Sequence, residues 1–249
     1  MRVLRFQGHS FVADWLGPVS VVVDLGATEG DFARDVMDRF ACRVWAVEAA
    51  PELAERLKVR PGLVVEHAAM GGREGFADLR TYAGRYASAV LEAPTTLQAS
   101  VRVPATTLEA FLGRHGLERI DLLKVDIEGS ELEMFAATSD RTLLNCIQMT
   151  VEFHDFEDPA MAPRVRETDA RLRRLGFQRL AFTWDHSDVL YVNTASHRIG
   201  AAGRVWVAVR FKYWTALVRR VGRGLRRLGL GRQGADAFLR PETRTARSR

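Results

Sequence analysis

The sequence predicts an α/β protein, a doubly wound, mostly parallel sheet with an antiparallel edge hairpin. Three features point that way. The runs Val19 to Gly26 (VSVVVDLG) and Asp121 to Asp126 (DLLKVD) are largely apolar without alternation, as strands buried on both faces must be. Segments of helical spacing separate the strands, and two strand-like runs late in the chain lie a hairpin's distance apart. A chain of 249 residues, 47% hydrophobic and 27% charged, can bury one substantial core, so a single domain with extensions is expected.

Residues 1–18 read as an N-terminal extension, ended by Gly17-Pro18 where the first central strand begins. Asp31 to Phe40 carries Phe32, Val36 and Phe40 at helical spacing. Arg43 to Val47 is the second strand, closed by Glu48, and Pro51 suits the first turn of a helix running to about Val59. Leu63 to His67 is the third strand. Gly71 to Thr106 mixes glycine, alanine and short apolar pieces such as Ala87 to Leu91, which predicts irregular chain with one or two antiparallel strands.

Order returns with a helix over Thr107 to His115, a fourth strand over Asp121 to Asp126 and a helix over Ser130 to Ala137. Cys146 to Phe153 is the fifth strand. Ala162 to Leu175 is a long helix stopped by Gly176, and Gln178 to Trp184 with Val189 to Asn193 makes the closing hairpin. The folded domain therefore spans residues 19–199.

No stretch reaches the ~20 apolar residues of a spanning helix, and Met1 to Pro18 lacks a secretory signal, so a cytoplasmic protein is expected. Cys42 and Cys146 have no CxxC or zinc-type spacing and read as buried free thiols. The net charge of +5 hides an asymmetry: from Gly200 onward thirteen Lys and Arg face two acids, +11, which leaves −6 for the first 199 residues. Within residues 205–230 apolar positions Val207, Phe211, Trp214, Val218, Val221, Leu225 and Leu228 alternate with arginines, a basic amphipathic pattern. Such a tail suits peripheral contact with an anionic membrane face or a partner, although Gly222, Gly224, Gly229 and Gly231 weaken any helix. Nucleic acid is disfavoured by the acidic body.

In open sheets of this class, ligands bind beyond the carboxyl ends of the strands where the topology switches direction. There the first strand delivers Asp24 followed by Gly26 and Gly30, and the second delivers Glu48. The glycines admit close backbone approach; the acids suit a cationic, hydroxyl-bearing cofactor and would repel a pyrophosphate. The spacing G-x-x-x-G with an acid in front departs from the dinucleotide fingerprint and argues against a nicotinamide oxidoreductase. Ala68 to Met70, centred on Ala69, is placed to lie against an adenine.

The fourth strand ends in Lys124-Val125-Asp126-Ile127-Glu128-Gly129-Ser130-Glu131, and the fifth in Glu152-Phe153-His154. Asp126 sits where it would orient an acceptor or take its proton. Glu128 is a candidate for substrate or loop contact, Glu131 equally for helix capping, and His154 for proton acceptance at its ordinary pKa of about 6.5. Asp126, Glu128, Glu152 and His154 could converge on a divalent ion, but without a compact ligand motif no metal is expected.

DLGATEG, AVEAAPELAERL, LLKVDIEGSE, VEFH and DVLYVN together resemble the FkbM family of methyltransferases over Val19 to Asn193. Thr28 stands where that family usually has Asn, and Glu48-Ala49 where it has Glu-Pro. The resemblance implies a Rossmann-like class I methyltransferase fold, S-adenosylmethionine as cofactor and methyl transfer, in a family that acts mostly on hydroxyls of sugars, polyketides and related bacterial metabolites; with the basic tail, O-methylation of a sugar, glycolipid or related metabolite is the expected reaction. The residue reading assigns cofactor contacts to Asp24, Gly26, Gly30, Glu48, Ala69 and Asp126, and catalytic roles to Asp126, Glu128 and His154. No Pro-Pro-Tyr-type element or Pro-Cys nucleophile supports amino-group or base-carbon methylation. The alternative is a non-catalytic scaffold that keeps the fold and docks through its basic tail.

Overall fold

The structure, a computed structural model, describes residues 2–82, 85–87, 99–156, 158–183, 186–197 and 200. The basic segment 205–230, the run from 88 to 91 and Trp184 lie outside the described residues. Among the described residues, no helix is long and apolar enough to cross a membrane.

The chain opens with β1 (Val3–Phe6) and β2 (His9–Val12), then β3 (Val21–Leu25), α1 (Asp31–Phe40), β4 (Arg43–Glu48), α2 (Pro51–Leu57) and β5 (Leu63–His67). β6 (Ala69–Met70), β7 (Gly75–Tyr82), β8 (Arg85–Ala87) and β9 (Ala99–Thr106) follow. The second half comprises α3 (Leu108–His115), β10 (Leu122–Val125), α4 (Glu131–Ala137), α5 (Asp140–Leu144), β11 (Gln148–Val151), α6 (Ala162–Arg174), β12 (Phe177–Ala181) and β13 (Val189–Asn193).

The central sheet has seven strands in the order β12-β13-β11-β10-β3-β4-β5. From β11 to β5 all neighbours are parallel; β13 runs antiparallel to β11, and β12 antiparallel to β13. From β3 the chain winds outward through β4 and β5, then returns to lay β10 and β11 on the other side. The switch therefore falls between β3 and β10, where the register sets Lys124 beside Asp24. Alternation along β3 feeds two cores. Val23 and Leu25 pack with Phe111, Phe135 and Tyr191, whereas Val22 packs with Phe11, Phe32 and Val36.

Two regions are more ordered than the sequence predicts. The stretch from Gly71 to Thr106 supplies most of a separate four-stranded sheet, β6-β9-β7-β8, held by the long antiparallel β7/β9 pair. The first eighteen residues are no appendage, since the compact unit runs Met1–Ile199. Gln7 and Gly8, at φ 47° and 93°, turn β1 into β2 as a two-residue hairpin. All four residues of β2 are buried. The Phe11 ring meets Phe6, Phe32 and Phe40 edge-on. The Gln148 amide accepts from Val12 N at 2.8 Å and donates to Val12 O at 3.1 Å. The Asp188 carboxylate accepts from Ser10 N at 2.9 Å and Ser10 Oγ at 2.7 Å, and pairs with Arg5 Nε at 3.0 Å.

Candidate active site

The switch point gathers the glycine loop of residues 26–30, the tips of β4 and β10, and the turn after β11. Gly26 has φ 79°, and a Cβ there would overlap the Asp126 carbonyl, so only glycine lets the β3 and β10 loops touch. Gly30, at φ 72°, caps α1, and a Cβ on it would strike Leu57. Thr28 between them also lies in the left-handed region, at φ 52°, a costly conformation for a β-branched residue.

Glu48 fixes this loop. Its buried carboxylate accepts from Thr28 N at 2.7 Å and from Ala50 N at 2.8 Å. Burial raises its pKa, with the Ala50 and Thr28 N–H groups opposing. Ala69 is partly exposed beyond β5, between buried Ala68 and Met70.

Asp24 departs from its expected role as an open acceptor. It is fully buried and pairs with Lys124 Nζ at 3.0 Å. A carboxylate in the core requires a compensating cation, so Asp24 holds Lys124 rather than standing open to a ligand. Lys124 also donates to Gly26 O at 2.7 Å and pairs with Asp126 Oδ2 at 3.5 Å, tying the two loops together. Although burial favours the neutral amine, Asp24 and Asp126 outweigh it and raise the Lys124 pKa. Lysine inside an otherwise apolar strand was the signal in the sequence for this triad.

Asp126 is the hub, its side chain 23% exposed. Its Oδ2 meets His9 Nε2 at 3.3 Å, and its Oδ1 lies 3.9 Å from His154 Nε2. Burial pushes its pKa up, but Lys124, His9 and His154 prevail and hold it far below the carboxylate range. His9, on the N-terminal hairpin, is a site residue that the sequence reading missed.

Glu131 unites the two roles open to it. Fully buried at the start of α4, its Oε1 accepts from Ile127 N and Gly129 N, both at 3.1 Å, and from His154 Nδ1 at 2.9 Å. Glu128, at φ 52°, turns back so that its Oε2 lies 3.4 Å from His154 Nε2. Burial disfavours imidazolium, but these two carboxylates raise the His154 pKa to about 11. The expected proton acceptor of ordinary pKa is therefore, at neutral pH, a cation that orients Asp126 and Glu128. Burial, reinforced by Asp126, pushes Glu152 up to about 7. The ligand atoms of His9, Asp126 and Glu152 lie within 4.8 Å of one another, as do those of Asp126, Glu128 and His154.

The donor set fits a cationic cofactor. Glu48, Asp126 and Glu128 lie at the strand tips, and the charge of Lys124 is spent on Asp24 and Asp126.

The family model described as the methyltransferase FkbM domain matches residues 24–179. A 71-residue segment is 39% identical to AMB antimetabolite synthetase AmbE of Pseudomonas aeruginosa, covering 28% of this chain and 3% of that protein. Among solved structures, fibrillarin from Aeropyrum pernix with bound S-adenosyl-L-methionine is 12% identical at TM-score 0.41, covering 71% of this chain and 66% of that one. Precorrin-6y C5,15-methyltransferase from Geobacter metallireducens is 14% identical at TM-score 0.39, covering 71% and 81%.

Proposed function

We propose, from the premise that this chain belongs to the FkbM methyltransferase family, that it methylates a hydroxyl oxygen on a sugar, glycolipid or related bacterial metabolite. The observation that carries the reading is Asp126, a carboxylate fixed by Lys124 and His9 on one oxygen with part of its surface open at the switch point.

S-adenosylmethionine, when bound, supplies a methyl carbon whose bond to the sulfonium breaks as the bond to the acceptor oxygen forms, leaving the electron pair on sulfur. Glu48 and the loop from Gly26 to Gly30 hold the cofactor, Ala69 flanks its adenine, and Asp24 acts through Lys124. Asp126 accepts a hydrogen bond from the acceptor hydroxyl and receives its proton as attack proceeds. The low proton affinity of Asp126 suffices, because the proton becomes strongly acidic once the oxygen is alkylated. His154, anchored by Glu131, keeps Asp126 and Glu128 aimed at the acceptor. The basic segment 205–230 would hold the enzyme at the cytoplasmic membrane face or on a partner, near lipid-linked acceptors.

Methyl-labelled S-adenosylmethionine incubated with the full chain and bacterial glycan and lipid fractions tests this. Label should enter a methyl ether that survives mild alkali, and Asp126→Ala should abolish it while S-adenosylhomocysteine still binds. Label in an alkali-labile ester or on nitrogen, or undiminished transfer by Asp126→Ala, would overturn the assignment.

A further inference from the structure

Two side chains approach Asp126 beside the switch point, His9 and Glu152. His9 is fully buried; its Nδ1 makes no hydrogen bond among the described residues, and its Nε2 meets only Asp126, at 3.3 Å. The Glu152 carboxylate, partly buried after β11, makes no hydrogen bond or ion pair among the described residues. His9 Nε2 and the Glu152 carboxylate thus converge on Asp126, neither with a second side-chain partner among the described residues.

We propose that His9, Asp126 and Glu152 form a site for a divalent cation of the Mn²⁺ class, beside the acceptor position. Ligands about 2.1 Å from one ion are about 3.0 Å apart when adjacent and about 4.2 Å when opposite. The 3.3 Å between His9 and Asp126 fits an adjacent pair, and the full spread, within 4.8 Å, needs little closing to reach a coordination shell.

Charge points the same way. Asp24, Asp126, Glu128 and Glu131 supply four carboxylates against Lys124 and His154, an excess of negative charge to which Glu152 adds when ionised. One imidazole with two carboxylates suits Mn²⁺, Fe²⁺ or Zn²⁺ better than calcium, which takes oxygen alone. The hairpin that carries His9 is pinned by Asp188 and Gln148, so the imidazole is presented on a fixed element. A cation here would polarise the acceptor hydroxyl and favour its deprotonation. That use rests on the methyltransferase reading; the site itself does not.

The full chain, washed free of metal with a chelator, is titrated with MnCl₂ by calorimetry and by electron paramagnetic resonance of free Mn²⁺. One site with a dissociation constant below about 50 µM is expected, weakened at least fivefold in His9→Gln and in Glu152→Gln. Thermal unfolding shows which variants fold, and if one does not, the other decides. No saturable Mn²⁺ binding, or less than fivefold weakening in either folded variant, would overturn the assignment. S-adenosylhomocysteine titrated into the same wild-type sample reports on the methyltransferase reading separately, so either can fail alone.

Discussion

Replacing Lys124 by Met removes the cation that joins three parts of the site while keeping the stem that fills the core. The Lys124 side chain is 4% exposed, and its ammonium lies 3.0 Å from fully buried Asp24, 3.5 Å from Asp126 and 2.7 Å from the Gly26 carbonyl. Without it Asp24 is a buried carboxylate with no counter-ion among the described residues, and the Gly26 carbonyl loses a donor. Breaking a buried pair by removing one partner costs about 3–5 kcal/mol. For a unit of this size each kcal/mol moves the midpoint by about 2–4 °C, so Lys124→Met should melt roughly 6–20 °C below wild type. Adding Asp24→Asn removes the stranded charge and should recover at least half of that loss. Thermal unfolding followed by circular dichroism, with urea titrations at 25 °C, measures both variants. A Lys124→Met midpoint within 2 °C of wild type, or no recovery in the double variant, would refute the reasoning that Asp24 is held by this pair.

Two further outcomes are expected. Thr28→Asn, which places a residue tolerant of the left-handed region at φ 52°, should stabilise the protein by about 0.5–1 kcal/mol; unchanged or lower stability would show that the loop is not strained there. His154→Gln should destabilise in a pH-dependent way: a pKa raised from 6.5 to about 11 gives stability fully present below about pH 6.5 and lost as pH rises toward 11. Melting at pH 6, 8 and 10 should therefore show a deficit that shrinks with pH, and a constant deficit would contradict the ion-pair origin.

The framework of the sheet was legible because β3 and β10 lie in largely apolar runs, because helical spacing separates them from the neighbouring strands β4 and β11, and because the ends of parallel strands must lie at one edge. That logic places Asp24, Glu48, Asp126 and His154 together from sequence alone. It cannot say which carboxylates remain open. Asp24 lies opposite Ala46 and Glu48 two residues further out on the neighbouring strand, yet one is paired with Lys124 and the other accepts from two backbone N–H groups. The partners are set by register and by loop shape, neither of which composition reveals. His9 escaped for another reason: β1 and β2 are four residues each, too short for a periodic signal, and only the Gln7-Gly8 pair between apolar residues marked a turn. Glu131 was ambiguous between capping and function because it does both at once, a geometry visible only when α4 and the turn after β11 are seen side by side.

The central claim is that the Gly26–Gly30 loop, shaped by Glu48, receives S-adenosylmethionine. Calorimetric titration of S-adenosylhomocysteine tests it most directly. Wild type should bind one equivalent with micromolar affinity, and Glu48→Gln, which sets an amide N–H against a loop N–H, should bind at least tenfold more weakly, about 1.4 kcal/mol. Absence of saturable heat from the wild-type protein, or equal affinity in Glu48→Gln, would contradict the claim.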